Sequence, residues 1–189
     1  MSTEGATPTR REQILAAAAE RFARVGFHGV GIDDIGKAVG VSGPALYRHF
    51  RSKDAMLAEL LTGISDRLLH GGRERVGAAS DPEEALHGLV RWHVDFALRN
   101  PSLITLHMRD LDSLPEPDRH RVRESQRSYV EVWVEALCRA RPALEPATAR
   151  ATAHAVFGLI NSTPFSAHLD EGQMAELLDH MAHGAIAAA

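Results

Sequence analysis

The sequence predicts an all-α protein, and three features indicate this fold class. Apolar residues recur at spacings of three and four along nearly the whole chain, as on the buried face of a helix. Helix start and stop signals flank these stretches, among them Thr9 with Glu12, Asp81 followed by Pro82, and Gly40. No strand pattern, internal repeat or low-complexity segment is evident. The 189 residues are enough for one large helical domain or two small ones.

The composition indicates a cytoplasmic protein with no membrane contact. The single cysteine provides no disulfide framework, which suits a reducing compartment. Nothing resembles a signal peptide, and no apolar stretch approaches the length that spans a bilayer. The net charge of −4 is unevenly divided: residues 1–53 carry 8 Lys and Arg against 5 Asp and Glu, and the remainder 13 against 20. A basic first part joined to an acidic body is typical of a small DNA-contacting module carried by a larger domain.

The first helix is predicted from Thr9 to Gly26, where Thr9 and Glu12 form a capping box. Its buried stripe is predicted to consist of Ile14, Leu15, Ala18, Phe22 and Val25.

The next stretch, GIDDIGKAVGVSGPALYRHFRSK, predicts two short helices joined by a tight turn. Gly40 ends the first helix, because glycine readily takes the left-handed conformation of a helix C-terminus. Ser42 is the predicted N-cap of the second helix, over Gly43–Phe50, with Leu46 facing inward. This arrangement is the helix-turn-helix signature, whose second helix enters the DNA major groove.

The segment GVSGPALYRHFRSKDAML resembles the motif of TetR-type bacterial repressors. The matching residues are Gly40, Val41, Ser42, Leu46, Tyr47, Phe50, Ser52, Lys53 and Asp54. Gly31 departs from the pattern, since Thr or Ser usually caps the helix there and also contacts phosphate. The resemblance implies a three-helix DNA-binding domain over residues 1–53, and a homodimer that represses by binding a palindromic operator in double-stranded DNA.

The DNA-contacting residues are predicted from the second helix and its flanks. We expect Tyr47, His49 and Lys53 to hold phosphates, and Arg48 to reach guanine or phosphate. Pro44 offers only apolar contact, for example to a thymine methyl group. The full predicted set is Ser42, Gly43, Pro44, Ala45, Tyr47, Arg48, His49 and Lys53.

Residues 54–189 are predicted to form a larger helical domain for effector binding and dimerisation. Its predicted helices are a long one capped by Ser52 and ending near Arg75, followed by 81–99, 102–110, 118–139, 146–162 and 171–187, with a turn at 111–117. The last two are rich in alanine and carry apolar stripes, which resembles the four-helix dimer interface of the family. The alternative is that they only complete the monomer core.

A ligand-responsive regulator needs an effector site, and aromatic and polar residues of the middle helices are the candidates. The predicted set is Trp92, His93, Phe96, Leu103, His107, Arg109, Trp133, Phe157 and Asn161. The alternative for each is an ordinary core position, since Trp and Phe at helical spacing are usually core residues. The stretch from Asn100 to Val134 contains Asn100-Pro101, Arg109-Asp110, Leu114-Pro115 and Tyr129 with Trp133. In these residues it resembles TetR-type regulators of acyl-CoA, fatty-acid or sterol catabolism. The resemblance implies an effector with a long apolar tail, whose CoA phosphates would meet an arginine such as Arg109 or Arg127.

A second hypothesis concerns the 11 histidines. His93, His107 and His154 fall on three body helices, and Asp110 follows His107 at a spacing of three, a set that would suit a divalent metal such as zinc or nickel. This alternative predicts a metal-dependent regulator or a metalloenzyme. Because the sequence has no Gly-rich phosphate loop and no Gly-x-Ser-x-Gly motif, we expect a protein that is not an enzyme and requires no cofactor.

Overall fold

The computed structural model describes residues 8–166 and 168–189, and these residues are helical with no strand. The predicted all-α class is therefore confirmed. Its elements are α1 (Arg10–Val25), α2 (Ile32–Val39), α3 (Gly43–Leu46), α4 (Lys53–Ala78), α5 (Pro82–Arg99), α6 (Pro101–Arg109), a 3-10 helix (Leu111–Ser113), α7 (Glu116–Ala140), α8 (Pro146–Ile160), α9 (Thr163–Ser166) and α10 (Glu171–Ala187).

Side-chain caps fix the predicted helix starts. In the capping box of α1, Glu12 Oε2 accepts from the Thr9 backbone N–H at 2.7 Å. Ser52 Oγ accepts from Ala55 N–H at 3.0 Å at the start of α4, and the Asp81 carboxylate caps α5 in the same way. These bonds satisfy backbone donors that have no partner within the helix.

The last turn of α1 differs from the predicted stripe. Val25 was predicted to be buried, but it is 54% exposed. Gly26 takes φ +94° and turns the chain away from the helix axis. Phe27 then packs edge-to-face on Phe22, with 5.2 Å between ring centroids. Phe27 therefore fills the core position that the helical period gives to Val25.

The turn between α2 and α3 depends on two glycines. Gly40 lies at φ +67° in the left-handed region and ends α2. A Cβ on Gly36 would lie 2.6 Å from the Val41 carbonyl oxygen, so only glycine permits the chain to turn back so closely against α2. The predicted pair of short helices with a glycine turn is thus present.

The second helix of this pair is shorter than predicted. The helix ends at Leu46, and residues 47–49 form turns. Arg48 N–H donates to the carbonyl of Ala45 and His49 N–H to that of Leu46, which is the i to i+3 pattern of a tight turn. Ser42 is the N-cap residue of α3, as predicted, but its side chain makes no capping hydrogen bond.

Helix α4 is the central element of the body, packed against both α5 and α7, and α8 and α10 complete the bundle. Helix α7 begins at Glu116, so Pro117 lies in its first turn rather than in the predicted loop. The short helix α9 was not predicted. The buried side chains form one continuous cluster from Ile14 to Ile186. The domain division at residues 53 and 54 remains a prediction.

Across the described ranges, no helix combines the length and apolar character needed to cross a bilayer.

Candidate nucleic-acid interface and internal cavity

The side chains that follow α3 form an exposed polar surface. Tyr47, Arg48 and His49 are consecutive and exposed, Tyr47 to 56%. Buried Leu46 and Phe50 hold this segment on either side. Exposed hydroxyl, guanidinium and imidazole groups on a rigid turn are suited to phosphate and base-edge contacts.

At the start of α3, Ser42 and Pro44 are exposed and Ala45 is partly buried. Gly43 is buried, and a Cβ there would lie 2.5 Å from the Asp33 carboxylate oxygen of α2. Its role is therefore the close packing of α3 on α2, while the residues on either side face outward.

The structure assigns Lys53 a different role from the predicted phosphate contact. Its Nζ donates to the backbone carbonyls of Phe27 at 2.8 Å and Val30 at 2.9 Å. The ammonium also lies 4.5 Å from the centroid of the Phe27 ring. Lys53 therefore ties the loop between α1 and α2 to the start of α4, and its charge points into the protein. The flexible four-carbon stem permits this inward orientation.

An internal cavity of ≈ 270 Å³ lies among α4, α5, α6, α7 and α8. Surface grooves of ≈ 620 to 680 Å³ also occur, but charged side chains line them and they are more open to solvent. The mixture of apolar walls and a few polar groups in the cavity is typical of small-molecule sites. Its lining consists of Ile64, Ser65, Leu68, His93, Ile104, His107, Gln126, Tyr129, Val130, His154, Phe157 and Asn161.

His93 is the most buried polar group of this cavity, with 2% of its surface exposed. Its Nε2 lies 3.1 Å from Asn161 Oδ1, and its Nδ1 lies 3.2 Å from the Tyr129 hydroxyl. Since an amide oxygen only accepts, Nε2 carries the proton and Nδ1 accepts from Tyr129. Burial lowers the pKa of His93 to about 4, so the ring is neutral near pH 7.

Aromatic rings make one wall of the cavity rigid. Phe157 stacks on His93 at 4.9 Å and on Tyr129 at 5.5 Å between centroids. Trp133 packs its edge against Phe157 from behind, at 5.1 Å. Burial also raises the pKa of Tyr129, whose hydroxyl therefore stays protonated.

A second polar pair lies on the other side of the cavity. Gln126 Nε2 donates to His107 Nε2 at 2.6 Å. Burial lowers the pKa of His107 as well, so this ring is neutral and carries its proton on Nδ1. His154 lies at the exposed edge.

The cavity contains four of the predicted effector residues, namely His93, His107, Phe157 and Asn161. Tyr129, Gln126 and the aliphatic residues of α4 were missed. A signal was present in the sequence, because Ser65 and Gln126 are polar residues on otherwise apolar helix faces.

The remaining predicted effector residues lie elsewhere. The Trp92 indole N–H donates to the Leu68 carbonyl at 3.2 Å, and its ring packs on Phe96 outside the cavity. Leu103 lines a separate surface groove beside α1. Trp133 is fully buried behind Phe157. Packing, rather than spacing, decides which face of each helix reaches the cavity.

Arg109 is the most informative of these corrections. Its guanidinium donates to the carbonyls of Phe22 at 2.5 Å and Ala23 at 3.0 Å, and to the carboxylate of Asp110 at 2.9 Å. The end of α6 is thereby bonded to the last turn of α1, where the Phe22 carbonyl also accepts from the Gly26 N–H. Arg109 is committed to this contact and does not face the cavity.

The predicted metal set is not assembled. Both ring nitrogens of His93 are engaged in hydrogen bonds, and the Asp110 carboxylate is paired with Arg109. Within residues 8–166 and 168–189, no group of three or more His, Cys, Asp or Glu side chains is arranged to hold a metal ion.

Two family models match the chain. Residues 14–60 match "Bacterial regulatory proteins, tetR family", and residues 79–165 match "Tetracyclin repressor-like, C-terminal domain". The first covers the helix-turn-helix, and the second covers most of the helices that enclose the cavity.

Among curated relatives, the transcriptional activator FasR of Mycolicibacterium smegmatis is 38% identical over 46% of the chain, which spans 40% of FasR. The transcriptional repressor KstR2 of Mycobacterium tuberculosis is 28% identical over 70% of the chain and 67% of KstR2. The chain thus spans about two fifths of the first relative and two thirds of the second.

Solved structures share the fold over nearly the whole chain. A TetR-family transcriptional regulator from Bordetella parapertussis superposes with a TM-score of 0.83 at 27% identity, covering 93% of this chain and 95% of that one. The structure of KstR2, described as a ketosteroid transcriptional regulator, gives a TM-score of 0.81 at 22% identity, covering 97% of each chain.

Proposed function

The chain belongs to the TetR family of bacterial transcriptional regulators, and we propose that it acts as a homodimeric repressor that a small effector releases from a palindromic operator. KstR2, which aligns over 70% of the chain, is a repressor, and this supports repression as the direction of control. Members of this family are DNA-binding regulators rather than enzymes.

For DNA binding, we assign phosphate contacts to Tyr47 and His49 and a guanine or phosphate contact to Arg48. Pro44 and Ala45 meet base edges by apolar contact, and Ser42 flanks them. The exposure of the polar side chains after α3 supports this assignment. Since each subunit presents one recognition helix, the half-sites lie about one helical turn, ~34–36 Å, or a multiple of it apart.

Dimerisation is assigned to α8 and α10. Leu177 and Met181 lie one turn apart on α10 and are 41% and 46% exposed. Ala151 and Ala155 are exposed at the same spacing on α8, and small residues permit the close approach of helices from a second subunit. An exposed apolar strip beside an alanine-rich face is typical of a protein interface.

The observation that carries the proposal is the position of α6. Ile104 and His107 of α6 line the cavity, and Arg109, at its end, is bonded to α1 of the DNA-binding module. An effector with higher affinity for a shifted position of α6 moves α1 with it. In that state, the distance between the two recognition helices no longer matches the spacing of the operator half-sites, so DNA is released.

The effector is assigned to an apolar class, which includes the acyl end of a CoA thioester. The apolar walls of the cavity support this assignment, as does the similarity to KstR2. With ≈ 270 Å³, the cavity holds an acyl group but not the CoA moiety. Arg109 is unsuited to the CoA phosphates because it holds α1, whereas Arg127 is exposed.

Selection of binding sites from random double-stranded DNA tests the proposal. We expect enrichment of a palindrome, loss of binding in Arg48→Ala, and unchanged binding in Arg123→Ala, whose exposed side chain lies on α7. Enrichment of single, non-repeated sites would contradict the dimeric mechanism, and the absence of enrichment would contradict sequence-specific binding.

A further inference from the structure

The lining of the internal cavity contains no permanently charged side chain. None of the described residues that line it is lysine, arginine, aspartate or glutamate. The walls are formed by aliphatic and aromatic side chains, among them Ile64, Leu68, Ile104, Val130 and Phe157. A ligand group that enters therefore leaves water without meeting a fixed counter-ion.

The buried histidine of the cavity does not supply a counter-charge either. His93 hydrogen bonds through both ring nitrogens, to Tyr129 and to Asn161. Its protonation would require a charged ring in a fully buried position, which is why its pKa is low. An ionised carboxylate in this cavity would therefore be a buried and unpaired charge, which proteins avoid.

The cavity does offer hydrogen-bond donors. The Asn161 side chain uses its oxygen toward His93, and its amide nitrogen has no partner among the described residues. His107 accepts from Gln126 through Nε2, so its Nδ1–H is also without a partner in that part of the chain. Two neutral donors in an apolar cavity match a neutral acceptor such as a carbonyl oxygen.

We propose that the cavity binds the uncharged end of the effector, a short apolar group with a carbonyl oxygen that accepts a hydrogen bond from the Asn161 amide, and that it excludes a free carboxylate. This inference rests on the proposed role of the cavity as the effector site. The cavity volume of ≈ 270 Å³ corresponds to roughly nine water molecules at about 30 Å³ each, so the bound group is short.

Three probes of matched size test whether the cavity excludes a charged group. They are 2-octanone, heptanamide and heptanoate, which have the same number of non-hydrogen atoms. Isothermal titration calorimetry with the full chain near pH 7 measures their affinities. We expect the ketone and the amide to bind at least ~10-fold more tightly than the carboxylate. Equal or tighter binding of heptanoate would overturn the inference.

Variants of the lining test the residue assignment. Asn161→Asp keeps an oxygen toward His93 but replaces the amide donor by an acceptor, so we expect ketone affinity to fall by ~10-fold or more. Gln173→Glu is the matched control. It makes the same amide-to-carboxylate exchange at an exposed position of α10 that does not line the cavity, so we expect ketone affinity to stay within ~2-fold. Unchanged ketone affinity in Asn161→Asp would contradict the assignment.

A third variant does not alter the buried core. His154 lies at the exposed edge of the cavity, and His154→Arg places a cation there. We expect heptanoate affinity to rise by several-fold, since the guanidinium of arginine is a permanently charged counter-ion for the carboxylate. If heptanoate affinity does not rise while the ketone binds as before, exclusion by charge is wrong.

The outcomes also separate this inference from the proposed function. If heptanoate binds as well as 2-octanone, the exclusion of a carboxylate is wrong, while the cavity remains a ligand site. If none of the three probes binds, the cavity is not an effector site for this class of compound, and both the inference and the effector assignment fall.

Discussion

His93 Nε2 lies 3.1 Å from Asn161 Oδ1, and this hydrogen bond joins the middle of α5 to the residue that directly follows α8. The bond closes one side of the internal cavity. Because His93 is fully buried, the partnership matters for stability as well as for ligand selection.

Asn161→Leu leaves the His93 N–H buried without an acceptor. We expect the free energy of unfolding to fall by about 1–3 kcal/mol, measured by urea denaturation. The double variant His93→Leu/Asn161→Leu should lose less than the sum of the two single losses, since neither polar group then lacks a partner. If the loss in the double variant equals the sum of the two single losses, the hydrogen bond between His93 and Asn161 is contradicted.

Stability should depend on pH through His93. Its folded pKa is about 4, below the ~6.5 of an unperturbed histidine, so the folded state binds fewer protons than the unfolded state between these values. The contribution of His93 to the free energy of unfolding is fully present above about pH 6.5. It is lost as the pH falls toward 4, and the loss reaches up to ~3 kcal/mol. Urea unfolding at pH 7.5 and 5 should show a smaller loss in His93→Gln than in the wild type, and equal losses would refute the assignment.

Arg109→Ala should uncouple the effector from DNA release. Operator affinity without effector should change by only a few-fold, while the effector concentration that releases DNA rises by ~10-fold or more, because α6 no longer holds α1. Fluorescence anisotropy of labelled operator measures both quantities. Arg123→Ala is the control, and a normal effector response in Arg109→Ala would exclude this route of coupling.

Variants of Lys53 and Arg48 should differ in their effects: the Lys53 variant changes stability, and the Arg48 variant changes DNA binding. Lys53→Gln removes two charged hydrogen bonds and should lower the free energy of unfolding by about 1–3 kcal/mol, with the salt dependence of operator binding unchanged. Arg48→Gln should leave stability within ~0.5 kcal/mol but reduce the slope of log K against log salt by about 1. If Lys53→Gln instead reduces the salt dependence of operator binding and leaves stability unchanged, Lys53 contacts phosphate as first predicted.

Gly36→Ala tests the close turn between α2 and α3. Its Cβ would lie 2.6 Å from the Val41 carbonyl, so we expect a loss of about 1–3 kcal/mol and weaker operator binding. Gly63→Ala is the matched control. Nothing lies within 4 Å of a Cβ there, and replacing a mid-helix glycine should stabilise by roughly 0.5–1 kcal/mol. Thermal unfolding of both variants decides the point.

The sequence predicted what local chemistry determines. Thr9, Ser52 and Asp81 cap their helices by contacts with residues three positions away, so the helix starts could be read from the chain alone. The end of α3 depends on the burial of Leu46 and Phe50 against other helices, which no local pattern contains.

The same limit explains the partial prediction of the cavity. Trp92 and His93 are neighbours in sequence, yet only His93 reaches the cavity, because the packing of α5 on α4 and α7 selects its face. Lys53 and Arg109 have long side chains that reach backbone carbonyls far away in sequence. Such contacts can be identified only when the folded chain is known.

The central claim is that one dimer bridges two operator half-sites. Native mass spectrometry of the protein with the selected operator duplex tests it most directly. The account predicts a complex of two protein chains on one duplex, and a free protein that is dimeric at micromolar concentration. A free monomer at that concentration, or one chain bound per duplex, would contradict it.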